Sequence, residues 1–371
     1  MTTRVVGTGG FDALIPHLAA AGYTVIGPTV RDGVIVYDEI DGASDLPIGW
    51  RDEQGPASYD IRDEGDDAYF SFVIGPRTLK HYLFPPRQTL LTIEHAETGL
   101  RFTSEEPTAK RYAFVGVRPC ELAAMAIQDT VFLDTPYADP HYGARRNGAF
   151  TVAVNCTVAA STCFCASMGT GPRAFEGYDL VVTEVLDGDH HEFIIESGSD
   201  AGAAVLAELG GREAMTEDDD QVAAIAANTT SQLQRSMDPE VARDLLAESF
   251  DDDLWDAVAE RCLSCTNCTL VCPTCFCNTI EDSTDLLGTA SRERRWDSCF
   301  NREFTYLHGH AVRSSTKSRY RQWMTHKLSY WYDQFGSSGC VGCGRCITWC
   351  PAAIDITEEV ARLSARQEAA V

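Results

Sequence analysis

The sequence predicts an α+β protein. A mixed α/β domain (residues 1–200) is expected first, then a helical connector (201–260), then a mostly helical cysteine-rich domain (261–371). Three observations predict this order. Apolar, β-branched runs alternate with helical periodicity through the first 200 residues. Amphipathic segments with acidic starts, such as "DDQVAAIAANTTSQLQ" and "DPEVARDLLAESF", fill the stretch before residue 260. Beyond it, cysteines recur at short, regular spacings.

In order along the chain, "GFDALIPHLAAAGY" (10–23) reads as a short amphipathic helix, followed by the strands "TVIGPTV" and "VIVYDEI". "RYAFVGVRPC" (111–120) is an apolar strand running into an Arg-Pro turn, and "CELAAMAIQDTVF" (120–132) a helix. "GAFTVAVNC" (148–156) is a second buried strand, so strand, helix and strand predict a parallel pair. "YDLVVTEVL" and "HEFIIES" predict two more strands, and "SRYRQWMTHKLSYWYDQF" (318–335) a helix.

The 371 residues argue for two or three domains, and 44% hydrophobic content supplies a sizeable core. A net charge of −25 argues against nucleic acid or an anionic membrane as partner. The N-terminus lacks the features of a signal peptide, and no apolar run reaches membrane-spanning length. Fifteen cysteines in such a chain point to metal in a reducing cytoplasm rather than to disulfides.

Cys262, Cys265, Cys268 and Cys272, followed by Pro273, spell C-x2-C-x2-C-x3-C-P; Cys340, Cys343, Cys346 and Cys350, followed by Pro351, repeat it. Three thiolates two residues apart wrap three corners of a 4Fe-4S cube, and the fourth serves the other cube. The spacing therefore predicts two 4Fe-4S clusters in a ferredoxin-like domain. Cys262, Cys265, Cys268 and Cys350 would hold cluster 1, and Cys340, Cys343, Cys346 and Cys272 cluster 2. Zinc knuckles, which pair cysteines across longer loops, fit these strings less well. The 67 residues between Cys272 and Cys340 form a long excursion whose segment 291–327 carries nine basic residues against three acidic ones. Such a reversal offsets anionic clusters, docks an acidic partner, or is a solvated face.

Seven cysteines remain. Cys120 and Cys156 end the two parallel strands, at the carboxyl edge where open α/β sheets bind ligands. With Cys163 and Cys165 they form a candidate third cluster site. Cys275, Cys277 and Cys299 are further candidate ligands, and the two C-F-C pairs are alternatively members of one site. Extended backbone puts both cysteines of a C-F-C on one side. "SMGTGP" (167–172) matches no phosphate loop, and His308 and His310 are single histidines. No nucleotide fingerprint and no catalytic constellation is visible.

The strings "GVRPCELAAMAIQD", "NCTVAASTCFCASMGTGP", "CPTCFC", "RRWDSCF", "HKLSYWYDQFG" and "CVGCGRCITWCP" resemble the β subunit of cytoplasmic NiFe hydrogenases of the sulfhydrogenase type. They are also similar to the A subunit of anaerobic sulfite reductase. The resemblance implies an electron-transfer subunit with no substrate chemistry of its own. It implies a flavin subunit that handles NAD(P)H, and hydrogenase small and large subunits, as partners. The alternatives are electron input to a sulfite reductase, or polysulfide reduction by an exposed thiolate.

Overall fold

A computed structural model describes residues 2–97, 99–107, 110–188, 190–286 and 288–370. The chain forms β1 (Thr3–Gly7), β2 (Thr24–Arg31), β3 (Val34–Glu39), a small β4–β5 hairpin (Trp50–Gly55, Ser58–Asp63) and a longer β6–β7 hairpin (Arg87–Ala96, Gly99–Ser104). Then come β8 (Tyr112–Val117), β9 (Phe150–Val154), the hairpin β10–β11 (Leu180–Asp187, His190–Ser197) and β12 (Arg212–Glu213). β13 (Asn278–Thr284) and β14 (Ala290–Trp296) lie between the two cysteine motifs.

The main sheet has the order β12-β1-β11-β10-β9-β8-β2-β3. Its centre is parallel: β2 pairs with β8, β8 with β9, and β9 with β10. β8 and β9 are buried almost throughout, which is why they read as continuous apolar runs rather than alternating ones. The expected parallel pair is therefore present, and the helix Pro119–Phe132 links its strands. β8 stops at Val117 and β9 at Val154, so Cys120 and Cys156 both follow carboxyl ends of adjacent strands.

Residues 200–261 carry the helices Asp200–Glu208, Thr216–Ser231, Pro239–Glu248 and Leu254–Arg261, but the expected helical connector is interrupted by β12, which pairs with β1 at the edge of the main sheet. The excursion between the motifs is not helical throughout. β13 and β14 join β6 and β7 in a four-stranded sheet, order β13-β14-β6-β7, built from both sides of residue 260. Residues 316–335 are helical but interrupted: Thr316–Thr325 and Trp331–Phe335 flank a π-helical turn, His326–Tyr330. Such turns widen a helix locally and concentrate at functional sites.

Two apolar cores meet. One fills the main sheet, with Phe11, Phe70, Phe114 and Val152. The other gathers Trp255, Trp323, Leu328, Ile347 and Leu363 around the cysteine motifs. Each C-F-C sends its phenylalanine across the junction. Phe164, from the N-terminal half, is buried in the second core. Phe276 packs against the first, within ring contact of Phe132, Trp331 and Phe335.

Four of the nine basic residues of 291–327 pair with carboxylates of this chain. Arg292 pairs with Asp282, Arg294 with Asp139, Arg295 with Glu281 and Glu293, and Lys317 with Asp256. Arg319 donates to the carbonyls of Arg313 and Ser314, at 3.2 and 2.8 Å. Among the described residues no helix is long and apolar enough to cross a membrane.

Candidate metal centres

All fifteen cysteines are free thiols, and they fall into four groups. Cys262, Cys265, Cys268 and Cys350 line one cavity, closed by Phe300, Tyr320, Trp323, Ile354 and Ile356. The backbone that delivers them is tightly wound. The helix Leu254–Arg261 ends at Cys262, Ser264 and Thr266 take left-handed conformations (φ 50° and 71°), and Asn267–Leu270 is one helical turn carrying Cys268. The second motif repeats this path. Gly342 and Gly344 are left-handed at φ 64° and 73°, and the turn Arg345–Thr348 carries Cys346. Backbone amides point at sulfur in both: Ser264 N donates to Cys262 Sγ at 3.4 Å, Gly342 N to Cys340 Sγ at 3.5 Å, and Ile354 N to Cys350 Sγ at 3.4 Å.

Cys272 lies among Cys340, Cys343 and Cys346, near enough for its charge to raise the pKa of each. Burial is the larger cause of those rises and brings Cys340 to about 12. Cys272 itself is held well below the usual thiol range, by a hydrogen bond from Cys275 and the ammonium of Lys327. Lys327 leaves the π-helical turn, is buried, and donates to Cys272 Sγ at 3.3 Å, Thr274 Oγ1 at 2.9 Å and Gly339 O at 2.9 Å. Burial opposes its charge, but Cys272, Cys275 and Cys340 outweigh that and keep it protonated.

The third group is the one expected at the sheet edge. Cys120, Cys156, Cys163 and Cys165 line a single cavity, with Arg118, Pro119, Gly171, Cys343 and Arg345. Burial raises all four thiols, Cys165 to about 12. This cavity abuts the second motif. Phe164 N donates to Gly342 O at 2.8 Å. A Cβ on Gly344 would stand 2.3 Å from Thr162 O, and one on Gly342 2.7 Å from Phe164 O. Those two glycines are needed both for their left-handed turns and for this close approach.

Cys275, Cys277 and Cys299 line a fourth, larger pocket with Asn278, Arg313, His326 and Lys327. The two C-F-C pairs thus line separate cavities. A hydrogen bond from Cys299 draws Cys277 down to about 7 against the effect of burial. His308 and His310 are exposed.

These groups fit iron–sulfur clusters. Tetrahedral zinc draws its sulfurs to within roughly 4 Å of one another, and among the described residues no three His, Cys, Asp or Glu side chains converge so tightly. A cube instead takes thiolates spread around a cavity, and it is anionic. Buried cations stand ready for that charge. Arg118 lines the third cavity; its Nη2 donates to Phe70 O and Phe72 O at 2.9 and 2.7 Å, while its buried Nε and Nη1 have no hydrogen-bond partner. Lys80 and Lys327 are buried beside Cys272 and Cys275. Arg345, between the second and third groups, pairs with the buried Glu121 at 2.5 Å. A buried cation without an anion is costly, so these side chains match thiolate-ligated clusters better than neutral thiols. Of the four cations the sequence singled out Lys327, as one of the nine basic residues of segment 291–327; for Arg118 only the "RPC" of residues 118–120, beside a strand end, offered a signal, and Lys80 and Arg345 were not anticipated.

Residues 261–354 match the 4Fe-4S dicluster domain family. The chain is also 32% identical over 285 residues to the sulfhydrogenase 2 subunit beta of Pyrococcus furiosus, covering 74% of this chain and 79% of that protein. This chain belongs to the sulfhydrogenase beta-subunit family. As a member of that family with a dicluster domain, it is an iron–sulfur electron-transfer protein. No solved structure matches it.

Proposed function

We propose that the chain is the subunit that carries electrons between a flavin subunit handling NAD(P)H and the small and large subunits of a NiFe hydrogenase, through three 4Fe-4S clusters. In this reading Cys262, Cys265, Cys268 and Cys350 hold the first, and Cys272, Cys340, Cys343 and Cys346 the second, within a dicluster unit spanning 261–371. Cys120, Cys156, Cys163 and Cys165 hold the third, in the α/β unit of residues 1–200. The setting is a reducing cytoplasm, where fifteen free thiols persist.

The observation that carries the reading is the continuity of the groups. Cys346 borders the first cavity and belongs to the second group; Cys343 belongs to the second and borders the third cavity. A bound cluster supplies reversible one-electron storage on thiolate-ligated iron. The chain's own residues set the conditions. Aromatic and aliphatic side chains exclude water from the first cavity, backbone amides direct hydrogen bonds at sulfur, and the buried cations offset negative charge.

The test is iron and acid-labile sulfide per chain, measured anaerobically on the chain separated from its partners. Substituting Cys120 and Cys163 by serine should remove about four irons, one cluster's worth, and abolish one EPR signal. An unchanged count in that variant removes the third cluster from the scheme.

A further inference from the structure

Cys275, Cys277 and Cys299 have no part in that three-cluster path, yet they are brought together deliberately. Asn278 pairs with Trp296 at the open end of the β13–β14 hairpin, and Asp297 N donates to Cys277 O at 2.9 Å. This draws Cys299, three residues beyond β14, to Cys277. Cys275 is two residues before Cys277, on the same wall. The pocket they line has a volume of about 320 Å³, against about 30 Å³ for each of the cavities around the first and third groups. It therefore has room for a cluster and for a small ligand beside it.

The charge around it points the same way. Lys80 and Lys327 are both buried. Lys80 Nζ donates to Cys272 O at 2.8 Å and Cys275 O at 3.1 Å, and lies 4.0 Å from the centre of the Trp296 ring. Lys327 reaches Cys272 Sγ and lines the pocket. Neither amine forms an ion pair with a carboxylate among the described residues; Lys327 stays protonated and lines the pocket, while burial pulls the Lys80 pKa down against the raising effect of Cys275, Cys272 and Cys277.

We propose that Cys275, Cys277 and Cys299 hold a fourth 4Fe-4S cluster, ligated by three protein thiolates, whose remaining iron faces the pocket and binds a small anion. All fifteen cysteines are then used, as three sets of four and one set of three. Loading takes two ferrous ions, two ferric ions and four sulfides, which together make a core of charge +2; each thiol releases its proton to solvent as its iron–sulfur bond forms. His326 also lines the pocket, with its Nε2 engaged by Gln334 Oε1 at 3.1 Å. Arg313 and Lys327 make the open side favourable for an anion. The contact between Cys272 and Cys275 puts this site beside the second group, a side branch of the path rather than its next link.

The experiment compares the full chain, isolated anaerobically, with a triple variant Cys275→Ser, Cys277→Ser, Cys299→Ser. The variant should carry about four irons fewer, with the EPR signals of the other clusters retained. Potassium cyanide added to the dithionite-reduced wild-type chain should change one EPR signal, and should change none in the variant. Equal iron in the two chains overturns the proposal, as does a wild-type spectrum indifferent to cyanide. The cyanide arm decides the matter alone if the variant fails to fold. The three-cluster reading stands or falls separately, on the Cys120 and Cys163 substitutions.

Discussion

Replacing Lys327 by methionine removes a buried positive charge beside the second cysteine group while keeping the volume of the side chain. The ammonium sits 3.3 Å from Cys272 Sγ. An added electron spreads over the whole cube, so the effective separation is larger, about 6 Å. At an effective dielectric constant of about 20, a unit charge at that range is worth about 3 kcal/mol. With roughly 59 mV for each tenfold change in a one-electron couple, this is a shift of about 120 mV. The sign follows from charge: the reduced cluster is the more negative form, so removing the cation lowers its potential. Thr274 Oγ1 still donates to Gly339 O at 2.7 Å, so the carbonyl that Lys327 served keeps a partner and the loop should hold. The assay is an EPR-monitored redox titration of wild type, Lys327→Met and Lys327→Arg. One signal should move down by about 100 mV in the methionine variant and recover most of that in the arginine variant. A shift below roughly 20 mV, or an upward one, refutes the view that Lys327 offsets cluster charge.

Glu121→Gln breaks the buried pair with Arg345 and should cost about 3–5 kcal/mol, read as a lower thermal midpoint of the anaerobic protein. Gly344→Ala puts a Cβ into Thr162 O at a left-handed position, so it should force apart the second and third cysteine loops and lower iron content. In iron-depleted protein, Cys340 and Cys165 bind their protons up to about pH 12, whereas unfolded thiols lose theirs near 8.5. The folded state then holds more protons than the unfolded state, so stability is fully present below about pH 8.5 and falls as pH rises, by about 1.4 kcal/mol per unit for each such thiol. Urea midpoints of iron-depleted protein at pH 7.5, 9 and 10 should decline, and a rise would contradict the burial of these thiols.

What could be read from the chain alone was local. The two C-x2-C-x2-C-x3-C-P strings are one-turn devices, and both adopt the same left-handed path, through Ser264 and Thr266 in one and Gly342 and Gly344 in the other. Apolar runs marked β8 and β9 as buried neighbours, which placed Cys120 and Cys156 at one edge. The β13–β14 hairpin was invisible because its strands, "NTIEDST" and "ASRERRW", are polar and carry no apolar alternation. They are strands because β14 pairs with β6, some two hundred residues earlier. Lys80 was hidden for the same reason. Lys80 meets Cys272 across 192 residues of chain, and nothing near residue 80 announces a cysteine. In the basic run at 291–327, conspicuous in the sequence, four of the nine cations proved to pair with Asp139, Asp256, Asp282 and Glu293.

A chain of net charge −25 that buries Lys80, Arg118, Lys327 and Arg345 has separated its charges by depth. Among the described residues only Glu121 forms an ion pair with any of these four, through Arg345. The other three cations meet carbonyls, a hydroxyl and sulfur, and Arg118 keeps its Nε and Nη1 without a hydrogen-bond partner. Neutral thiols cannot compensate them, because a buried charge needs an opposite charge and not merely dipoles. Thiolates on iron can. Cluster loading therefore belongs to the folding free energy of this protein and is not an addition to a finished fold. The arrangement also explains why the cations come from both halves of the chain. Lys80 and Arg118 lie before residue 200, Lys327 and Arg345 after 260, and each pair faces cysteines that the other half helps to position. Iron loss should then loosen the junction between the halves first, where Phe164 and Phe276 cross.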